Sequence, residues 1–204
     1  MDNFDTVLET LYIVAMRIHS RRLLVGTLVL VPFLMVGCAA ASDPQLTDSP
    51  VQTAPAPVFA SNEEALAAAT QAYGAYLAMS DQITGEGGAR GERIAPFVTA
   101  SYLPELLDGF DSFASQNRFS KGASGFDTIS LARYADDSRG SASILLYLCA
   151  DITAIHVYDA SGVDQTNSDR PNRIPEQLEF VSDGANSRNL LLKAEDTWGG
   201  KNFC

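Results

Sequence analysis

Asp151 and His156 carry the side chains of this chain best suited to general acid–base chemistry. Both occur in one apolar run, SASILLYLCADITAIHVYDA (141–160), which predicts a long strand. A carboxylate in such a run lies either at a sheet edge or in a pocket, where it is a candidate base. The odd spacing places the two side chains on opposite faces of a regular strand, so no dyad is implied. For Asp151 we favour the sheet edge, and for His156 a surface position near the following turn.

Cys38 stands at the end of a 15-residue apolar run, Leu23–Gly37, which follows Arg17, Arg21 and Arg22. A basic segment, a short apolar segment and small residues before a cut are typical of a secretory signal. The closing LMVGC resembles the lipobox of bacterial lipoproteins, in which the cysteine is acylated, with palmitate among the expected chains. The alternative is an uncleaved transmembrane anchor, for which the run falls short of about 20 residues.

The chain divides into three parts on composition. Residues 1–37 are interpreted as the signal segment, and the acidic residues 1–15 as a stretch upstream of the true start. Residues 38–60 are rich in Ala, Pro, Ser and Thr and predict a lipid-anchored, disordered tether. Residues 61–204 are long enough for a single domain.

Cys149 and Cys204 remain as an even pair if Cys38 is acylated. In an oxidising compartment the default for such a pair is a disulfide, with a metal site or a catalytic thiol as the alternatives. Two cysteines and the single histidine of the 61–204 segment make a poor metal site, because structural zinc takes four N/S ligands at close spacing. We therefore expect no metal and no cofactor.

Helical patterns occupy the first half of the domain. Ser61 and Glu64 have the spacing of a capping box and predict a first helix, closed by the glycine-rich loop Gly85–Gly88. A second helical region runs from about Glu92 to Asn117, and Pro96 and Pro104 are expected to divide it. Strand patterns follow at 126–134, 141–160, 163–166, 177–182 and 189–198. Helices followed by strands indicate an α+β fold, with two to three N-terminal helices packed on a curved antiparallel sheet of four to five strands.

This order, together with Cys149, Trp198 and the terminal Cys204, resembles one group of proteins. They are small actinobacterial lipoproteins with a nuclear-transport-factor-like cone domain, also described as SnoaL-like or cystatin-like. The resemblance spans residues 61–204 and implies a cone-shaped sheet around a helix, with an apolar pocket at its wide end. Five aromatic residues are candidates to line that pocket, although such residues are more often plain core: Tyr73, Tyr76, Tyr102, Phe110 and Tyr147.

The net charge of the chain argues against two classes of partner. Residues 1–37 contain three acids and three arginines, so the remaining chain keeps the full −11. So acidic a surface disfavours nucleic acid and anionic lipid headgroups, which both reward Lys and Arg. Membrane contact is therefore expected only through the N-terminal lipid.

These patterns predict a binding or interaction domain rather than an enzyme, held by lipid at the outer face of a bacterial cell membrane. The expected partner is a small apolar ligand or a protein of the cell envelope. The alternative is a SnoaL-like isomerase or hydrolase that acts on a small apolar substrate with Asp151 as its base.

Overall fold

The computed structural model describes residues 56–204, so the predictions for the signal segment and for Cys38 lie outside the described residues. Helix α1 spans Asn62–Gly85. The Glu64 backbone N–H donates to Ser61 Oγ at 3.2 Å, and the Ala60 N–H donates to Glu64 Oε2 at 2.6 Å. The predicted capping box is therefore present, with its return bond shifted by one residue to Ala60.

The second helical region is divided as predicted. A 3₁₀ helix covers Gly91–Phe97 and contains Pro96, and helix α2 covers Leu103–Ser115 with Pro104 in its first turn. Gly88 lets the end of α1 approach α2, since it has a φ of +80° and a Cβ there would lie 2.1 Å from the Phe110 carbonyl oxygen. Within the described residues, none of the helices combines the length and hydrophobicity needed to cross a membrane.

Two antiparallel sheets follow, and together with the helices they give the predicted α+β fold with no closed barrel across residues 56–204. One sheet has four strands in the order β2-β3-β5-β6, and the other pairs β1 with β4. The strands are β1 Phe119–Lys121, β2 Gly125–Asp136, β3 Ala142–Asp151, β4 His156–Tyr158, β5 Arg173–Ser182 and β6 Leu190–Thr197.

The prediction of one long strand over residues 141–160 is wrong, because this run forms two strands that belong to different sheets. β3 ends at Asp151, whose carboxylate accepts a hydrogen bond from the Thr153 N–H at 2.9 Å. This bond turns the chain, as aspartate side chains commonly do. β4 then pairs with β1, and the predicted return strand at 163–166 is reduced to a bridge between Tyr158 and Asp164.

The core lies between α1 and one face of the four-stranded sheet, called here the inner face. On β3 this face presents Ile144, Leu146 and Leu148, all fully buried. Val58 and Phe59 also belong to the core, although the sequence pattern assigned them to the tether. Phe59 packs edge-on against Tyr134 with 5.8 Å between ring centroids. The packed domain therefore begins before the predicted boundary at residue 61.

Candidate functional site

Glu176 occupies an inward position of β5. The strand alternates, and Ile174, Leu178 and Phe180 on the same face are buried. A glutamate in that register is carried into the apolar layer between the sheet and α1. The sequence carries this signal, but the strand that its pattern predicts begins only at residue 177 and so leaves Glu176 out.

Glu195 reaches the same layer because of a β-bulge in β6. Glu179 pairs with Ala194 and Phe180 pairs with Leu192, so Lys193 is an extra residue without a partner across the ladder. The bulge reverses the alternation and turns Glu195 inward, while Lys193 Nζ pairs with Glu179 Oε1 at 2.9 Å. Simple alternation from Leu190 and Leu192 predicts the opposite orientation for Glu195.

Tyr73 and Tyr76 of α1 meet these two glutamates, and we call the four residues the carboxyl–tyrosine cluster. The Tyr73 hydroxyl lies 2.6 Å from Glu195 Oε1 and 3.1 Å from Glu176 Oε2. The Tyr76 hydroxyl donates to Glu195 Oε2 at 3.1 Å. Both rings are almost completely buried, so these bonds replace water for the two phenols.

Glu176 keeps its proton in this cluster. Burial, followed by the nearby Glu195 carboxylate, raises the pKa of Glu176 to about 9, so Glu176 is protonated at neutral pH. Burial and the same carboxylates raise the pKa of Tyr73 and of Tyr76 well above the usual phenol range. The two carboxyl oxygens of Glu195 accept the hydrogen bonds of Tyr73 and Tyr76.

Further acids surround the cluster. Burial, together with the charge of Glu195, raises the pKa of Tyr102, which is itself buried at the start of α2. Partial burial also raises the pKa of Glu105 in α2, with Asp196 and Glu195 adding to the effect. The neighbours named here are all acids, and no cation among them compensates a second negative charge.

The opposite face of the sheet, called here the outer face, carries a disulfide at its centre. Cys149 of β3 is fully buried there and is bonded to Cys204, with 5.5 Å between the Cα atoms. The bond holds the terminal segment 198–204 against the sheet, and the Trp198 N–H donates to the Pro175 carbonyl oxygen at 2.7 Å. The disulfide predicted from the cysteine count is therefore present in the structure.

An aromatic groove lies beside this segment on the outer face, with a volume of about 410 Å³. Its walls include the Trp198 and Phe203 rings, which meet the Tyr147 ring at centroid distances of 5.0 and 6.3 Å. Gly200 makes room for the indole, since a Cβ there would lie 2.5 Å from Trp198 Nε1. The six lining residues are uncharged: Thr128, Ile129, Ser130, Tyr147, Trp198 and Phe203.

Thr128 sits in strained backbone at the rim of this groove. A bulge in β2 leaves Thr128 and Ile129 between the paired residues Asp127 and Ser130. Thr128 has a φ of +53°, which is costly for a β-branched residue. Such strain persists where the surrounding structure imposes it and concentrates at functional sites.

The structure does not place Asp151 or His156 in a pocket. Asp151 lies at the end of β3 with its side chain 34% exposed, 3.3 Å from Arg173 Nη1. Hydrogen bonds from Thr153, together with Arg173, lower the pKa of Asp151, which makes it a weaker base. His156 begins β4 in the other sheet, and its Nδ1 lies 2.9 Å from Asp164 Oδ2 in solvent-exposed surroundings.

The five aromatic pocket candidates fall in three places. Tyr73, Tyr76 and Tyr102 gather around the two glutamates, whereas Tyr147 lines the outer groove. Phe110 is a core residue of α2. Among the described residues, no group of His, Cys, Asp and Glu is arranged to hold a metal ion.

No protein-family model and no curated protein matches the chain. Among solved structures, it is similar to the intermembrane space region of the chloroplast protein ARC6, at a TM-score of 0.47 and 9% identity, over 66% of this chain and 97% of that one. A periplasmic fragment of TraM gives a TM-score of 0.43 at 8% identity, over 70% and 100% of the two chains. Aln2 from a Streptomyces species gives 0.38 at 14% identity, over 68% and 92%. At these TM-scores the likenesses identify neither a family nor a function.

Proposed function

We propose that the chain is a lipid-anchored binding domain outside the cytoplasm that takes a neutral small molecule with a flat apolar face into the outer groove. The observation that carries the binding role is the groove itself. Its volume lies within the range of about 300–1,000 Å³ common for small-molecule sites. Aromatic walls contribute contact area at low entropic cost, and the uncharged lining disfavours an ionic ligand.

The groove is suited to a ring that stacks on an aromatic wall. The Trp198 and Phe203 rings pack edge-to-face with the Tyr147 ring, and a flat aromatic ligand can pack against these rings in the same edge-to-face or offset-stacked arrangements. At the exposed rim, the Ser130 hydroxyl can donate or accept a hydrogen bond that orients the ligand. The Thr128 hydroxyl, which donates to Asp127 Oδ1 at 2.8 Å, can accept one. An aromatic side chain inserted by a cell-envelope protein would suit the same lining. The small molecule is favoured because the volume of about 410 Å³ is typical of small-molecule sites.

The test uses the single tryptophan of the chain as a reporter. N-Phenyl-1-naphthylamine, a neutral aromatic probe, should quench Trp198 by energy transfer and gain fluorescence on binding. Phe203→Ala should weaken this binding at least about tenfold, because it removes one wall. Val163→Ala is the matched control, since Val163 is an apolar side chain, 55% exposed and outside the groove lining. Equal binding by both variants would reject the groove as the site.

Anchoring is the second part of the proposal and depends on Cys38. The apolar run before it and the lipobox-like LMVGC support acylation at this residue. In a bacterial host, a fatty-acid analogue should label the wild-type chain, and Cys38→Ala should leave an unlabelled, uncleaved precursor. Cys204→Ser is the control, because it also removes a thiol and should keep the label. Equal labelling of wild type and Cys38→Ala would remove the anchor from the proposal.

The enzymatic alternative loses its base in this geometry, because Asp151 is held as an ion-paired carboxylate. The carboxyl–tyrosine cluster is not a ready substitute. Both oxygens of Glu195 already accept hydrogen bonds from Tyr73 and Tyr76. A substrate would have to displace those bonds before reaching the carboxylate.

A further inference from the structure

We propose that the carboxyl–tyrosine cluster is a proton-dependent latch that fastens the middle of α1 to β5 and β6. The latch is independent of the groove, since it lies on the other face of the sheet. It is closed while Glu176 and Glu195 hold one proton between them, and it opens when that proton is lost. Its geometry brings two phenol donors of α1 to the two glutamate side chains of the strands.

Proton balance explains the two states. In the closed state the Tyr73 hydroxyl, the Tyr76 hydroxyl and the Glu176 carboxyl supply three protons to the single carboxylate of Glu195. Loss of the Glu176 proton to hydroxide leaves two carboxylates side by side, with only two phenol protons to bind them. Two like charges that both contact the Tyr73 hydroxyl in this largely apolar layer repel each other.

The titratable groups that face Glu176 from each element leave the second charge uncompensated. α1 contributes Tyr73 and Tyr76, the α2 region contributes Tyr102, and β6 contributes Glu195. Glu105 of α2 and Asp196 of β6 lie near Glu195 and add further acids. The three tyrosines keep their protons while Glu176 titrates, because burial raises their pKa values above the phenol range. Relief therefore requires either water entry or separation of α1 from the strands.

The two ends of α1 are fastened by bonds that do not depend on this proton. Near the N-terminus, Arg188 pairs with Glu64. Near the C-terminus, Asp81 accepts hydrogen bonds at 2.7 Å from both the Ser124 N–H and the Ser124 hydroxyl. An open latch should loosen the helix around Tyr73–Tyr76 and the strand around 194–197 while both ends remain attached.

Amide hydrogen exchange of the intact domain tests the latch. Protection factors, corrected for the intrinsic rate, are compared at pH of about 6.5 and about 9.5, on either side of the transition. In the wild type, protection around Tyr73–Tyr76 should fall at least about tenfold at the higher pH, whereas protection near Asp81 should not. Glu176→Gln should abolish the fall, and Glu92→Gln, at an exposed site in the 3₁₀ helix, should retain it. An equal fall in Glu176→Gln, or none in the wild type, overturns the proposal.

A second measurement needs no variant. In the wild-type chain labelled at glutamate side-chain carboxyls, the carbon-13 resonance of Glu176 should titrate several pH units above the usual glutamate range. A Glu176 resonance that titrates with the exposed glutamates would overturn the latch even if every variant failed to fold.

Discussion

The Tyr73 hydroxyl lies 2.6 Å from Glu195 Oε1, which joins the middle of α1 to β6 across 122 residues of sequence. The Tyr73 ring also meets Phe126 of β2 edge-on, with 4.9 Å between centroids. One side chain therefore combines an apolar contact to one edge strand of the sheet with a polar contact to the other. Its hydroxyl fixes how α1 lies across the inner face.

Tyr73→Phe should destabilise the domain by about 1.5–3 kcal/mol, the range for a hydrogen bond to a charged group. The change preserves the ring packing and leaves Glu195 with one donor fewer. Chemical denaturation at neutral pH measures the loss. Tyr158→Phe is the control, because the Tyr158 ring stacks on Phe119 in the small sheet, away from the glutamates. Equal losses in the two variants would show that the Tyr73–Glu195 bond contributes nothing specific.

Stability should fall as pH rises, through the ionisation of Glu176. Its pKa is raised to about 9 in the folded chain, against 4.5 for the unfolded residue. Between these values the folded state holds a proton that the unfolded state has lost, so the contribution is complete below about pH 4.5 and disappears as pH approaches 9. The Gln side chain of Glu176→Gln does not ionise. The free energy of unfolding of this variant should therefore rise by about 1–3 kcal/mol relative to that of the wild type as the pH is raised from 5 to 8. Urea unfolding of both chains at the two pH values measures the difference, and a constant difference would contradict this assignment.

The sequence predicted the α+β order, the helix cap and the cysteine pair because each depends on local pattern or on counting. Ser61 and Glu64 fix the start of α1 through bonds within a few residues. The break after Asp151 was missed because its cause is a side-chain turn inside a run whose composition favours a strand.

The carboxyl–tyrosine cluster could be predicted only in part. Tyr73 and Tyr76 share a helical stripe, and an inward glutamate in β5 is visible once the strand is extended to residue 173. The inward orientation of Glu195 could not be predicted from the sequence. The bulge at Lys193 is set by pairing with Glu179, and it reverses the orientation that alternation predicts. Register between strands is a tertiary property, and the site depends on it.

Reduction of the disulfide should release the C-terminal wall of the groove. The bond closes a loop across a sequence separation of 55 residues, which the chain-entropy model values at about 4 kcal/mol. Thermal unfolding with and without a reductant should show a lower Tm after reduction, and Cys204→Ser should reproduce that value. Probe binding to the groove should fall in parallel, since Trp198 and Phe203 lie on the segment that the bond secures. Unchanged binding after full reduction would show that the wall holds without the bond.

Trp198→Ala should separate packing from binding. The indole contacts Tyr147 and covers Gly200, but it remains partly exposed, so its loss should cost less than the about 3–5 kcal/mol of a fully buried aromatic. We expect a loss of about 1–2 kcal/mol in the free energy of unfolding, together with a larger relative loss of groove binding.

Wild-type tryptophan emission should be intermediate between that of buried and of hydrated indole, and reduction of the Cys149–Cys204 bond should shift it to the red. Because the chain contains one tryptophan, the signal comes from this ring alone. Emission that is already fully hydrated and freely quenched by iodide in the oxidised domain would show that the ring does not form a wall of the groove.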